Sequence, residues 1–452
     1  MKDKMTRGQF LGASLGLSLS STLGLHGFPL GKDNIGYRGD DPNSFEMTEE
    51  MKRNYQVALH ILKPTQKDLE HGLELHRNSL VFDTYGFMPR AAVDGAEIAR
   101  AINDSASALE LQDMREDMSM SRMAENEREK KEFINAWNTS GVTCMFQNAA
   151  YSCNAIEKLI KRLSRFTYTT DKMKDFIEKA SSPEEIIQAK NENKKALYLT
   201  GNGVPLPQEW ITVEEELRYI RIFYQLGIRM LHLTYNRRNV IGDGCGEPTD
   251  AGLSDFGRTV VKEMNRVGII VDIAHSGWQT SLDAARFSEK PMVASHSSVA
   301  SIHKVVRSKT DEIIKAIADT EGYIGICCIP RFLGGSGDIA AFLKHIDYVA
   351  KKFGPDYVSI GTDVAYTSQF DKMENEKVKS MSSRAAPVTR TRFAALWPEE
   401  TPFPTRPEMS QSMAWTNWPL FTVGLVQMGY SDTDIQKIIG GNAIRVAQAS
   451  YV

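Results

Sequence analysis

The stretch Leu253–Ser276, LSDFGRTVVKEMNRVGIIVDIAHS, decides the fold because two kinds of patterning meet in it. Phe256, Val260, Val261, Met264 and Val267 recur at i, i+4, i+5, i+8 and i+11, the buried face of an amphipathic helix over Leu253–Val267. The run Ile269–Ala274 that follows is nearly continuous in apolar residues, as in a strand of a parallel sheet covered on both faces. Seven other short runs share this character: Ser79–Asp83, Val142–Gln147, Ala196–Thr200, Ile228–Leu233, Met292–His296, Tyr323–Cys328 and Tyr357–Asp363. Helical-period segments separate them at Glu127–Trp137, Ala155–Lys190, Val213–Gln225, Asp311–Asp319 and Ile339–Phe353. Strands and helices in this alternation predict an α/β fold, a (β/α)8 TIM barrel. An open doubly wound sheet is the competing architecture, but no glycine-rich nucleotide fingerprint follows an early strand.

Outward from the barrel, the 452 residues divide into three parts. Residues 1–26 read as an export leader: Lys2, Lys4 and Arg7 precede the apolar run Phe10–Leu19, too short to span a bilayer. Thr6-Arg7-Gly8-Gln9-Phe10-Leu11 looks like a twin-arginine signal with its second arginine replaced by Gly8, which predicts a periplasmic protein. If the leader does not function, the protein stays in the cytoplasm. Residues 27–75 form an N-terminal extension with a helix around Thr48–Leu62, and 76–452 form the barrel. The barrel carries a long insertion at about 364–415, and a last helix from Ser431 to about Ala449 closes it. Beyond the leader no apolar run is long enough to cross a membrane.

Composition narrows the function. Hydrophobic residues at 42% and charged residues at 25% exclude a disordered or collagenous chain. Lys and Arg number 54 against 57 Asp and Glu, a net charge of −3, which leaves no basic field for nucleic acid. The five cysteines lack CxxC spacing, so neither a disulfide framework nor a thiolate zinc site is expected. Cys327 and Cys328 read as small buried strand residues. Nothing in the sequence fixes the oligomeric state, and a homodimer is allowed.

Polar residues gather where strands end. The fifth run leads into His275, the sixth ends at His296 and the eighth at Asp363, the carboxyl-end rim where barrel enzymes work. Two imidazoles and a carboxylate there are the raw material of a divalent-metal hydrolase. Arg307, a short loop past His296, suits a substrate carboxylate. His303 in a turn and His345 on a helix face read as non-catalytic.

The motifs Gly252–Gly257 (GLSDFG), Val261–Ser276 and Ala294–Ser298 (ASHSS) resemble the membrane (renal) dipeptidase family. So do Leu226–Met230 with Leu233–Asn236, Lys344–Val349 (KHIDYV) and Gly361–Asp363 (GTD). The resemblance runs from about Ser79 to Asp363, with the C-terminal helix in addition, and implies a (β/α)8 metallohydrolase that cleaves dipeptides with water activated by two zinc ions. It implies His275 and His296 as ligands of one metal, Arg307 as the partner of the substrate carboxylate, and Asp363 as carrier of a proton and partner of the substrate amine. Tyr235 stands where the family has an oxyanion-stabilising histidine, and a phenol can donate there too. The chain departs from the family at its other metal: Tyr85 and Phe87 replace a His-x-Asp pair, and Gly201 falls where a bridging glutamate is expected. Phe binds no zinc and Gly offers no carboxylate, so the sequence predicts one divalent ion, or two if other ligands rebuild the site. Asp83 or Asp243 are candidates to complete coordination, and Tyr85 as phenolate is another. The expected function is metal-dependent hydrolysis of an amide in a dipeptide or similar small molecule. The alternatives are an inactive barrel that binds a peptide or amino-acid derivative, and a hydrolase or lyase of changed substrate.

Overall fold

The computed structural model describes residues 46–149, 156–207, 212–387 and 403–452. Eight strands form the central sheet: β1 (Phe82–Arg90), β2 (Cys144–Asn148), β3 (Lys195–Gly201), β4 (Ile228–His232), β5 (Ile270–Asp272), β6 (Val293–Val299), β7 (Tyr323–Ile326) and β8 (Val358–Ile360). All neighbours are parallel and lie in chain order, from β8 round to β1. The turn back to β1 is made by residues just past β8. Asp363 N–H donates to Tyr85 O at 2.9 Å, and Ala365–Thr367 pairs in parallel with Phe87 and Arg90 of β1. This unbroken order is that of the α/β barrel and not of a doubly wound sheet, whose strand order reverses.

The local chemistry of the decisive stretch is simple. Ser254 Oγ accepts from Gly257 N–H at 2.9 Å and starts the helix Asp255–Val267. Gly268, at φ 88°, stops it, because its N–H turns back to Met264 O and only glycine takes that conformation cheaply. The chain then enters β5 at once.

Apolar side chains fill the amino end of the barrel. Phe82, Phe146, Tyr198, Met230, Ile270, Val293 and Tyr323 make its floor, with Phe82 and Phe146 stacked at 5.1 Å. Ala443, Val446 and Ala447 of the last helix, Asn442–Ser450, cap this floor from below. Above it the backbones crowd: a Cβ at Gly325 or Gly361 would stand 1.9 or 2.0 Å from Ser295 O.

Some sequence expectations shift. The first strand begins at Phe82 rather than Ser79 and runs on to Arg90, so Tyr85 and Phe87 lie within it. The single helical segment expected over Ala155–Lys190 is two helices, Ile156–Lys172 and Pro183–Asn191. Between them Ile177–Lys179 adds to the edge of β3, a pairing that local periodicity does not announce. The expected helix near Thr48–Leu62 is present as Glu49–Leu62. The leader, and residues 388–402 of the 364–415 region, lie outside the described residues. Among the described residues no helix is long and apolar enough to cross a membrane.

Trp415 ties the 364–415 region to β1. Its Nε1–H donates to Asp83 Oδ2 at 3.1 Å while its ring meets Trp137 edge-on. Burial pushes the Asp83 carboxyl up to about 6, against the pull of hydrogen bonds from Thr362, Trp415 and Tyr85. A hydrogen bond to the ionised form is lost only where Asp83 is ionised, above that value. Trp415→Phe should therefore cost about 1.5–3 kcal/mol at pH 7.5 and less than half of that at pH 4.5, read by urea unfolding. An equal loss at both pH values would show that the indole N–H does not act on this carboxylate.

Candidate active site

Residues two apart along a strand share a face. Met230 and Ile270 belong to the floor, so His232 of β4 and Asp272 of β5 stand one layer above them inside the barrel. His275 follows β5 directly and His296 lies within β6. All three imidazoles are buried, their ring centres 5.0–5.3 Å apart. One ligand nitrogen from each lies within 4.8 Å of the others.

Each ring is held from its far side. His275 Nδ1–H donates to Asn236 Oδ1 at 2.7 Å, and His296 Nδ1 shares a hydrogen bond with Ser295 Oγ at 2.8 Å. The two Nε2 atoms then face each other at 3.0 Å. His232 Nε2 pairs with Asp272 Oδ2 at 2.7 Å, and His232 Nδ1 has no hydrogen-bond partner. Aromatic rings clamp two of the imidazoles: Tyr85 stacks on His296 at 3.7 Å and Tyr235 on His275 at 4.2 Å. The Tyr85 hydroxyl donates to Asn202 Oδ1 at 2.5 Å.

Burial, reinforced by the Arg307 charge, holds His275 and His296 well below the usual imidazole value, so both are neutral at pH 7. Burial opposes charge on Asp272, yet the facing His232 and the Ser295 hydrogen bonds hold its carboxyl below the ordinary value. Asp363 is partly open to the mouth, but burial raises its carboxyl to about 7, with Arg307 pulling the other way. Asp363 at φ 56° and Asn236 at φ 57° both occupy the left-handed region, a strain that site residues often carry.

The structure thus gathers His275, His296, Tyr235, Tyr85 and Asp363 around one mouth. Arg307 is there too, fully buried, donating to Ala274 O and, at 3.1 Å, to His296 O. Asp83 and Asp243 are already engaged. Thr362, Trp415 and Tyr85 surround the Asp83 carboxylate, and Arg238 and Ala251 N–H hold that of Asp243. Phe87 packs edge-on against Tyr85, and Gly201 ends β3 one residue before Asn202. His345 is structural, bonded to Val299 N and Leu333 O. Sequence reasoning missed His232. Its signal was a histidine inside the apolar run Ile228–Leu233, where alternation places it on the face of Met230.

The donor set fits a divalent ion. A buried imidazole whose Nδ1 has no hydrogen-bond partner, as in His232, is costly unless something else engages that nitrogen. Two Nε2 atoms 3.0 Å apart approach the roughly 3.3 Å separation of two nitrogens on one tetrahedral zinc.

A model of the membrane dipeptidase family, peptidase family M19, matches residues 71–381, from the helix before β1 to well past Asp363. The chain belongs to this family. Dipeptidase tcpJ of Claviceps purpurea (strain 20.1) is 27% identical over 232 residues, 50% of this chain and 46% of that relative. The chain therefore spans about half the length of the curated relative it matches. A crystal structure of an amidohydrolase from Pseudomonas aeruginosa is 25% identical, with a TM-score of 0.58, over 84% of this chain and 99% of the other. The probable dipeptidase PvdM from Pseudomonas aeruginosa shares the fold, with a TM-score of 0.59 at 17% identity over 85% of this chain and 98% of its own.

Because the Arg307 guanidinium bridges carbonyls at the ends of β5 and β6, Arg307→Ala strands two buried acceptors. The variant should lose about 2–4 kcal/mol of stability in urea unfolding with no substrate present. A loss under about 0.5 kcal/mol would mean that these contacts carry no structural weight.

Proposed function

We propose that this protein is a metal-dependent hydrolase acting on an amide bond of a dipeptide or similar small molecule. The carrying observation is the facing pair of neutral imidazoles, His275 and His296, beside a carboxyl that titrates near neutrality at the same barrel mouth. A divalent ion bound there, zinc in our reading, supplies Lewis acidity and makes water a competent nucleophile near pH 7.

The remaining roles fall to the chain's own groups. Asp363 accepts the proton from the attacking water and returns it to the leaving amine, a task suited to a value close to the working pH. Tyr235, its ring fixed against His275, offers its phenol to the developing oxyanion. Arg307 and Arg331 both act electrostatically on Asp363, so their combined positive field favours a substrate that carries a free carboxylate. Membership of the dipeptidase family supports the same substrate class. The basic start and the Phe10–Leu19 run support a site of action beyond the inner membrane.

The test is hydrolysis of a dipeptide panel by zinc-loaded protein. An active base must be ionised, so kcat/KM should rise with pH and level off at or below about 7, since a bound cation pulls the Asp363 midpoint down. Asp363→Asn should lower kcat at least 100-fold, and chelation should abolish turnover. Intact dipeptides after prolonged incubation with loaded, folded protein would overturn the reading.

A further inference from the structure

His232 is the least explained group in the barrel. It is fully buried, its Nδ1 has no hydrogen-bond partner, and its Nε2 lies 2.7 Å from the Oδ2 of Asp272. Oδ1 of the same carboxylate accepts from Ala274 N and Ser295 N, which leaves Oδ2 to face His232. An ionised carboxylate behind one imidazole nitrogen orients the ring and makes the other nitrogen a stronger donor, the arrangement common behind metal-bound histidines. The other nitrogen here is Nδ1, and the ring as a whole stands equidistant from His275 and His296, at 5.2 and 5.3 Å.

The surroundings favour one ion and disfavour a second. On the β1 and β3 side, a neutral hydrogen bond from Tyr85 to Asn202 occupies the space, with the Tyr85 ring lying flat on His296. Neither group brings negative charge, and Phe87 and Gly201 bring no donor. The Ser295 hydroxyl can donate to His296 Nδ1 or accept from it, so His296 can present Nε2 either as a donor to His275 or as a lone pair toward a cation.

We infer that His232, oriented by Asp272, is a third protein ligand, and that the protein carries a single three-imidazole metal centre set one layer inside the barrel mouth. The inference rests on the reading above that the site holds an ion. It adds a ligand to His275 and His296 and makes Asp272 a positioning residue. Three neutral imidazoles leave the ion its full positive charge and an open position, which suits borderline ions such as zinc or cobalt over magnesium or calcium.

Wild-type full-length protein with one equivalent of zinc gives the direct test, by X-ray absorption at the zinc edge. Three imidazoles in the first coordination sphere are expected; two imidazoles with oxygen donors would overturn the inference. Chelator competition on the same protein should give one tight zinc per chain, and two tight ions, or none, would overturn it. His232→Asn should weaken zinc by more than 100-fold. Asp272→Asn should weaken it by about 10- to 100-fold with one ion still bound, each variant first shown by circular dichroism to be folded. Unchanged affinity in folded His232→Asn would also overturn it. Three-imidazole zinc on a protein that cleaves no dipeptide would sustain this inference while defeating the proposed hydrolase. Dipeptide cleavage with a two-imidazole spectrum would do the reverse.

Discussion

The contact between His275 Nε2 and His296 Nε2, 3.0 Å in fully buried space, constrains everything around it. Two neutral imidazoles approach that closely only when a proton or a cation is shared between them. Holding them there requires adjacent strands, which β5 and β6 are, and anchors on the far nitrogens, which Asn236 and Ser295 provide. It also requires that the two rings not both become charged, since two imidazolium ions would repel. Burial and the Arg307 guanidinium see to that, the latter bonded to Ala274 O and His296 O within a residue of each ring. Arg307 thus has two connected effects: it joins the strand ends and keeps the imidazoles neutral.

The barrel supports this arrangement by separating its two ends. Large apolar rings fill the floor, so the polar layer above it is walled off from solvent below. Gly325 and Gly361 let β7 and β8 approach Ser295, the residue that anchors His296. Closure at β1 then brings Tyr85 against His296 and Asp363 N–H onto Tyr85 O. Around Tyr85, Phe87 and Gly201 the barrel presents a packed, hydrogen-bonded wall, with Phe87 edge-on to Tyr85 and the Tyr85 hydroxyl on Asn202.

Much of this is legible in the sequence where one local signal dominates. Near-continuous apolar runs mark all eight strands in order, and the helices Asp311–Asp319 and Ile339–Phe353 fall where periodicity puts them. His275, His296 and Asp363 are visible because they interrupt or end such runs. His232 is harder, since inside Ile228–Leu233 it reads as one polar residue in a strand, and only the closed barrel turns its face toward the other histidines. The burial of Arg307 is equally non-local, because the carbonyls that hold it belong to Ala274 and His296. The strand Ile177–Lys179 escapes notice for the same reason, as its hydrogen bonds depend on where β3 lies.

The central claim is a single ion at the crossing of β4, β5 and β6. Anomalous diffraction from crystals of the full-length protein grown with zinc, with data on both sides of the zinc edge, measures it directly. The account predicts one strong peak per chain in contact with the imidazoles of His232, His275 and His296. A pair of peaks with one beside Tyr85, or a barrel with no peak at all, would contradict it.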